Sequence, residues 1–281
     1  MLTDKIHFPN PSTEPEDILS SSLGVIFPDD ITNQHGDSLT PIIYLSPVHG
    51  AIHLTLADPQ GEDNRRLFSH FLWNAAVLLA EYMEEGGEEW GVAGTSVLEV
   101  GAGTGLGGLV ACLRGARRTV VSDYPAEEVL ENIRTNVERN VTVRRGKEGE
   151  GKALGEIEVR GHEWGVLDDG FAVENKSAFG RVLVADCLWM PWQHGSLRRS
   201  ICWFLSEEGR AWVVAGFHTG REKMRGFFDE AACREDGLVV EKIWERNADG
   251  AERAWVEDRG IEDVTERKRW LVVAVLKKAT G

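Results

Sequence analysis

The run Val97-Leu98-Glu99-Val100-Gly101-Ala102-Gly103-Thr104-Gly105-Leu106-Gly107-Gly108 joins three apolar residues and one acidic residue to a glycine-rich turn. Glycines let the backbone approach a ligand closely, and the N–H groups of a following helix then aim at it. Dinucleotides and S-adenosylmethionine both bind at turns of this kind, and register separates them. Counted from the first glycine, a dinucleotide fingerprint needs glycine at 106, where the chain has leucine. Counted from Gly103 it is met by Gly103, Gly105 and Gly108, but that register begins two residues past the end of the strand. The spacing Glu99-x-Gly101-x-Gly103-x-Gly105 is the acidic form used by S-adenosylmethionine enzymes. The turn taken alone admits both ligands.

A second group with chemistry lies 20 residues beyond Gly103. Asp123 ends the second predicted strand, where its carboxylate can accept both hydroxyls of an adenosyl ribose or cap the helix that follows. Further on, Ala185-Asp186-Cys187-Leu188-Trp189 closes another apolar run. Strand ends of this type form ligand crevices in open α/β sheets. There Asp186 can hold a substrate ammonium, and Trp189 can wall an amine channel with cation–π attraction. His218, after a fifth run, is either a proton acceptor or a hydrogen-bonded loop histidine. Cys187 reads as a buried neighbour, not a nucleophile. His162-Glu163 has no HExxH or other ligand set around it, so no metal is assigned.

These residues need an alternating frame. Strands are predicted at 97–100, 119–123, 157–161, 182–185, 212–215, 238–246 and 270–277, with helices at 106–114, 127–140, 196–207 and 221–234 between them. Val182–Ala185 and Trp212–Ala215 are continuously apolar, as strands covered on both faces require. The order predicts an α/β sheet with helices on both faces. Upstream, Leu67, Phe68, Phe71, Leu72, Ala75, Ala76, Leu79, Ala80 and Met83 recur at helical spacing up to Gly86-Gly87. Trp73 projects away from the centre of that stripe, where an indole is exposed unless something, such as Val77 and the N-terminal extension, covers it. Seven of the nine prolines precede residue 60. Residues 1–60 are therefore read as an extension, partly extended or disordered, with a strand pair at 41–45 and 51–56; the main domain follows from 61 to 281. Arg144–Gly155 reads as a flexible insertion.

Composition narrows the partners. The 281 residues carry 31 basic and 46 acidic side chains, a net charge of −15. A phosphate backbone is repelled on average, so nucleic acid is not an expected partner. The longest apolar run, Leu271–Leu276, is far below the ~20 residues that span a bilayer. The sequence opens without the apolar segment of a secretory signal, and Cys112, Cys187, Cys202 and Cys233 form no CxxC pair. A cytoplasmic chain with free thiols is expected.

The segments VLEVGAGTGLGGLVA, VVSDYP, ENIRTNVERN, GHEWG and VLVADCLW occur in the order seen in seven-strand methyltransferases. Over residues 65–277 the chain resembles fungal proteins labelled nicotinamide N-methyltransferase-like. It is also similar to the elongation factor 1-alpha N-terminal and lysine methyltransferases and the wider non-SET protein-lysine methyltransferase group. The resemblance implies a Rossmann-like, seven-stranded class I sheet and S-adenosylmethionine as cofactor. It implies a cofactor site of Trp73, Glu99, Gly101, Ala102, Gly103, Gly105, Asp123, Trp164 and Ala185, with Trp164 beside the adenine. It also implies an acceptor site at Asp186, where this group often carries Asp-x-x-Tyr; here Trp189 replaces the tyrosine and removes a hydroxyl.

Methyl transfer from a sulfonium needs alignment and dryness more than covalent help. Baring a lysine amine, ordinary pKa ~10.4, costs roughly 4.6 kcal/mol at neutral pH; an N-terminal amine costs about 1 kcal/mol. Three readings follow. The favoured one is a protein lysine or N-terminal N-methyltransferase with an acceptor such as a translation elongation factor. A small-molecule amine or nicotinamide-type enzyme comes second, and a non-catalytic interaction protein third.

Overall fold

The computed structural model describes residues 1–8, 33–36, 40–57, 71–142, 154–217 and 220–280. From the N-terminus its strands are Ile6–His7 (β1), Gln34–His35 (β2), Ile42–Ser46 (β3), Gly50–Leu54 (β4), Leu72–Trp73 (β5), Ser96–Val100 (β6) and Arg118–Asp123 (β7). They continue with Glu156–Gly161 (β8), Phe179–Ala185 (β9), Leu205–Gly216 (β10), Leu238–Asn247 (β11), Glu252–Ala254 (β12) and Trp270–Lys278 (β13). Four helices matter most: Asn74–Glu85 (α1), Leu106–Leu113 (α2), Glu127–Val137 (α3) and His194–Phe204 (α4).

The main sheet has the order β12-β11-β13-β10-β9-β6-β7-β8. Strands β8, β7, β6, β9 and β10 run parallel, while β13 is antiparallel to both its neighbours, β10 and β11, so that β11 points the same way as the five. Alternation sorts the apolar runs between two cores. Val97, Leu183, Trp212, Val214, Val273 and Val275 face α1 and α2. Leu98, Val182, Val184, Val213 and Ala274 face α4 on the other side. This two-sided burial is why the central strands contain no polar alternation. The chain leaves β6 toward β7 and β8, then returns to β9 on the opposite side, so the strand order reverses beside β6. Crevices for ligands open at such a reversal.

All seven expected strands are present. The eighth, β12, is a three-residue edge strand paired to β11. The expected N-terminal pair exists as β3 and β4, and β1 joins it to make three strands. This small sheet has no core of its own: Leu2, Ile42, Tyr44, Ile52 and Leu54 share a cluster with α1 and Trp212. The expected boundary near residue 60 falls within 58–70, outside the described residues, as do Leu67, Phe68, His218 and nearly all of 144–155.

Long-range pairing overrides local periodicity in two places. The apolar stripe predicts helix through Trp73, but Leu72–Trp73 is extended and pairs with Gln34–His35. Asn74 N–H donates to Asn33 C=O at 3.0 Å, and its Oδ1 meets His35 Nε2 at 2.7 Å, so α1 begins only at Asn74. The helix predicted over 221–234 is two short helices, Arg221–Arg225 and Glu230–Glu235. Between them Phe227 and Phe228 turn inward to be buried, and Asp229 caps the second helix.

The C-terminal edge is fixed by a buried ion cluster. Glu245 is fully buried, with Arg221 Nη1 and Arg253 Nε each 2.7 Å from its carboxylate and Arg259 at 3.4 Å. Removing one partner of such a cluster strands the others, a loss of about 3–5 kcal/mol. Glu245→Ala should lower the free energy of unfolding by that amount in urea titrations. An unchanged midpoint would show that the cluster does not hold this edge.

Candidate active site

The site forms where β6 and β7 end side by side. Past Val100 the chain turns through Gly101, Gly103 and Gly105, with φ of 63, 57 and 77°. Gly101 also lacks room for a side chain: a Cβ there would lie 2.7 Å from Cys187 Sγ and 2.9 Å from the Trp164 ring. Ala102 N–H donates to Ser122 C=O at 3.1 Å, and Gly103 N–H donates to Asp123 Oδ2 at 2.7 Å. The other Asp123 oxygen accepts from Tyr124 N–H at 2.7 Å. Burial pushes the Asp123 carboxyl up to about 6, against the pull of these two N–H groups.

Glu99 lies beneath the turn. Its Oε2 accepts from Gly108 N–H, in the first turn of α2, at 2.7 Å. It is 1% exposed, and burial raises its carboxyl to about 8. Its Oε1 lies 2.5 Å from where a Gly107 Cβ would sit, so the helix start is built around the carboxyl. Glu99 holds the start of α2 and does not line the cleft.

A cleft opens beside this turn at the strand ends. Trp73, Gly101, Ala102, Gly103, Asp123, Trp164, Ala185, Asp186 and Trp189 all line it, whereas Glu99 and Gly105 do not. Trp73 reaches it from β5, not from the face of a helix. His218 lies outside the described residues. Asp186 follows β9 with φ of 58°, a left-handed conformation that costs a non-glycine residue about 1 kcal/mol or more. Its N–H donates to Val214 C=O at 2.8 Å, and its Oδ1 accepts from Gly216 N–H at 3.2 Å. Burial pushes the Cys187 thiol well above its ordinary range.

His162 is a cleft residue that strand-end position alone would have flagged, since it directly follows β8. It is 2% exposed, and its Nε2 meets Ser200 Oγ at 3.0 Å. Its Nδ1 is buried without a hydrogen-bond partner in the described structure. Burial lowers its pKa, leaving a neutral imidazole at neutral pH. Among the described residues, no group of three or more His, Cys, Asp or Glu is placed to hold a metal.

An adenosyl ligand suits this set. The turn offers backbone with no side chain in the way, Asp123 offers acceptors at a strand end, and His162 Nδ1 is a polar atom left for a ligand. A sheet reversal with this turn and carboxylate suits a dinucleotide or S-adenosylmethionine, and likeness to known proteins decides for an S-adenosylmethionine-dependent class I methyltransferase. The profile of the lysine methyltransferase family matches residues 58–233, and the chain belongs to that family. Similar proteins include the protein N-terminal and lysine N-methyltransferase EFM7 of Gibberella zeae, 34% identical over 197 residues, covering 64% of this chain and 70% of that one. The EFM7 of Candida glabrata is 33% identical over 181 residues, covering 63% of this chain and 66% of its own. A crystal structure of a methyltransferase complexed with SAH superposes with a TM-score of 0.54 at 12% identity, covering 93% of this chain and 65% of the other. That likeness concerns the fold alone.

The Glu99 carboxyl gives a test of the turn. Its pKa is about 8 folded against 4.5 ordinarily, so its burial costs nothing below pH ~4.5, increasingly more as pH rises, and a constant amount above ~8. Glu99→Gln cannot ionise. Its stability relative to the parent protein should therefore rise from pH 5 to pH 8 in urea titrations. A difference that stays constant over this range would mean that the carboxyl is not desolvated.

Proposed function

We propose that this methyltransferase acts on a lysine or N-terminal amine of a protein, a translation elongation factor being the leading acceptor. One observation carries the choice of an amine. Asp123, Glu163 and Asp186 line the cleft, and no lysine or arginine does among the described residues. A cationic acceptor is drawn to such a lining and an anionic one repelled. The names of the fungal relatives, and a net charge of −15 facing a basic target, support the same reading.

In this reading Gly101, Ala102 and Gly103 carry the backbone against the cofactor. Asp123 accepts its ribose hydroxyls, and Trp73 and Trp164 shield it from water, with Ala185 at the floor. Glu99 and Gly105 act from behind, by holding the turn and the start of α2. Bound there, S-adenosylmethionine supplies a methyl group made electrophilic by its sulfonium. Asp186 holds the acceptor ammonium at the end of β9, and Trp189 walls its approach. A carboxylate beside an ammonium raises the ammonium pKa, so Asp186 serves binding more than proton loss. An N-terminal amine, needing only about 1 kcal/mol to be neutral, is the easier acceptor. For lysine the proton needs a taker, and His218 is proposed on its place in the sequence alone. At the mouth, Trp192 is 73% exposed between the cleft residues Met190 and Gln193, a fit surface for the acceptor polypeptide.

Purified protein and labelled cofactor in cell extract should put label into a protein band. Label found only in small molecules would replace the reading with the nicotinamide-type alternative. Asp123→Ala should weaken S-adenosylhomocysteine binding by roughly 1.5–3 kcal/mol, the worth of a hydrogen bond to a charged group. The ionised carboxylate is the form that accepts ribose hydroxyls, so affinity should hold above pH 6 and fall about tenfold by pH 5. Calorimetry across that range checks this, and a flat profile would place the ribose elsewhere. Trp192→Ala should raise KM for the protein acceptor severalfold and leave cofactor affinity unchanged; an unaltered KM removes Trp192 from acceptor docking.

A further inference from the structure

We infer that Asn136 is a positioning residue for the cofactor turn, and that through it the N-terminal sheet is part of the cofactor-binding apparatus. The inference rests on the reading that the cofactor binds at residues 101–105.

Asn132, Asn136 and Asn140 recur every four residues along α3 and the π-helical turn Glu138–Thr142 that extends it, so they share a face. Four helical residues rise ~6.0 Å, close to the ~6.6–6.8 Å between alternate residues of a strand. The amides therefore match the free edge of β4 and the residue after it. Asn140 Oδ1 accepts from His53 N–H at 2.9 Å, and its Nδ2 donates to His53 C=O at 2.7 Å. Asn136 repeats the pattern at Thr55, at 2.8 and 3.0 Å. Asn132 Nδ2 also donates to Thr55 C=O, at 2.9 Å. The side chains stand in for a neighbouring strand and satisfy the backbone groups at His53 and Thr55.

Asn136 alone of the three extends this contact to the cofactor turn. Its Nδ2 also donates to Thr104 C=O at 3.0 Å, and Thr104 lines the cleft between Gly103 and Gly105. The single hydrogen of Thr55 Oγ1 lies between Asn132 Oδ1 at 2.8 Å and Asn136 Oδ1 at 2.9 Å. Both N–H groups of the Asn136 amide are used and its oxygen accepts from Thr55 N–H, in a side chain with no exposure. A fully satisfied buried amide has one geometry, so fixing Thr104 fixes Thr55 and the reverse. Ala57 packs with Ala102 and Ile133 in one apolar cluster beneath the same turn, which reinforces the link.

Hydrogen exchange on the full-length protein, with and without saturating S-adenosylhomocysteine, tests this directly. Exchange should slow at 101–106 and also at His53, in β4 of the N-terminal sheet, and at Thr55, just after that strand. Slowing at 101–106 with no change at 53 and 55 overturns the inference and leaves the cofactor site standing. No slowing at either, with binding shown by calorimetry, overturns the site and the inference together. Substitution separates positioning from stability. Asn136→Ala should raise the Kd for S-adenosylhomocysteine about tenfold, the worth of one buried hydrogen bond, and Asn140→Ala less than twofold at a comparable loss of Tm. Equal changes in Kd at the two positions would overturn the inference.

Discussion

The bond from Gly103 N–H to the Asp123 carboxylate ties together the ends of two neighbouring parallel strands. Together with the bond from Ala102 N–H to Ser122 C=O it narrows the freedom of the glycine turn, whose glycines also have access to other backbone regions. With it, the turn has a fixed height above β7, and the carboxylate has a fixed place at the cleft. Glu99 makes the matching bond one layer down, to the start of α2. The two carboxyls disfavour each other's charge, and burial raises both. Burial acts more strongly on Glu99, so of the two carboxyls Asp123 gives up its proton first as pH rises.

Much of this was legible in the sequence because the determinants are local. The glycine spacing, the apolar runs of β9 and β10 and the strand-end positions of Asp123 and Asp186 each lie within a few consecutive residues. What was not legible depends on distant partners. Nothing near Trp73 says that Leu72–Trp73 will pair with Gln34–His35 and hold the chain out of the helix. Phe227 and Phe228 fit a helical stripe equally well until the core on their side is known. In ENIRTNVERN the asparagines look like a solvated helix face, and only the edge of β4 reveals why the face is amide and not apolar.

The tryptophans divide in the same way. Trp90, Trp212 and Trp244 gather with Tyr82, its ring stacked on Trp90 at 4.3 Å, in the core that joins α1 to the sheet. Trp73, Trp164 and Trp189 instead line the cleft. Side-chain type was identical, and position relative to the strand ends separated the two sets. The two sides of the cleft differ in character: the end of β9 presents the left-handed Asp186 and, beyond it, Trp189, while the end of β6 presents backbone at Gly101–Gly103.

Cys187 lies against this cleft, its Sγ within 3.6 Å of Val100 C=O and 3.4 Å of Ala185 C=O. Packed among carbonyl oxygens and near acidic groups, it is held in its thiol form. Alkylating reagents react with thiolate, so a warhead aimed at this cysteine would find little to attack despite its address. Chemical probes for this pocket are better built as reversible cations.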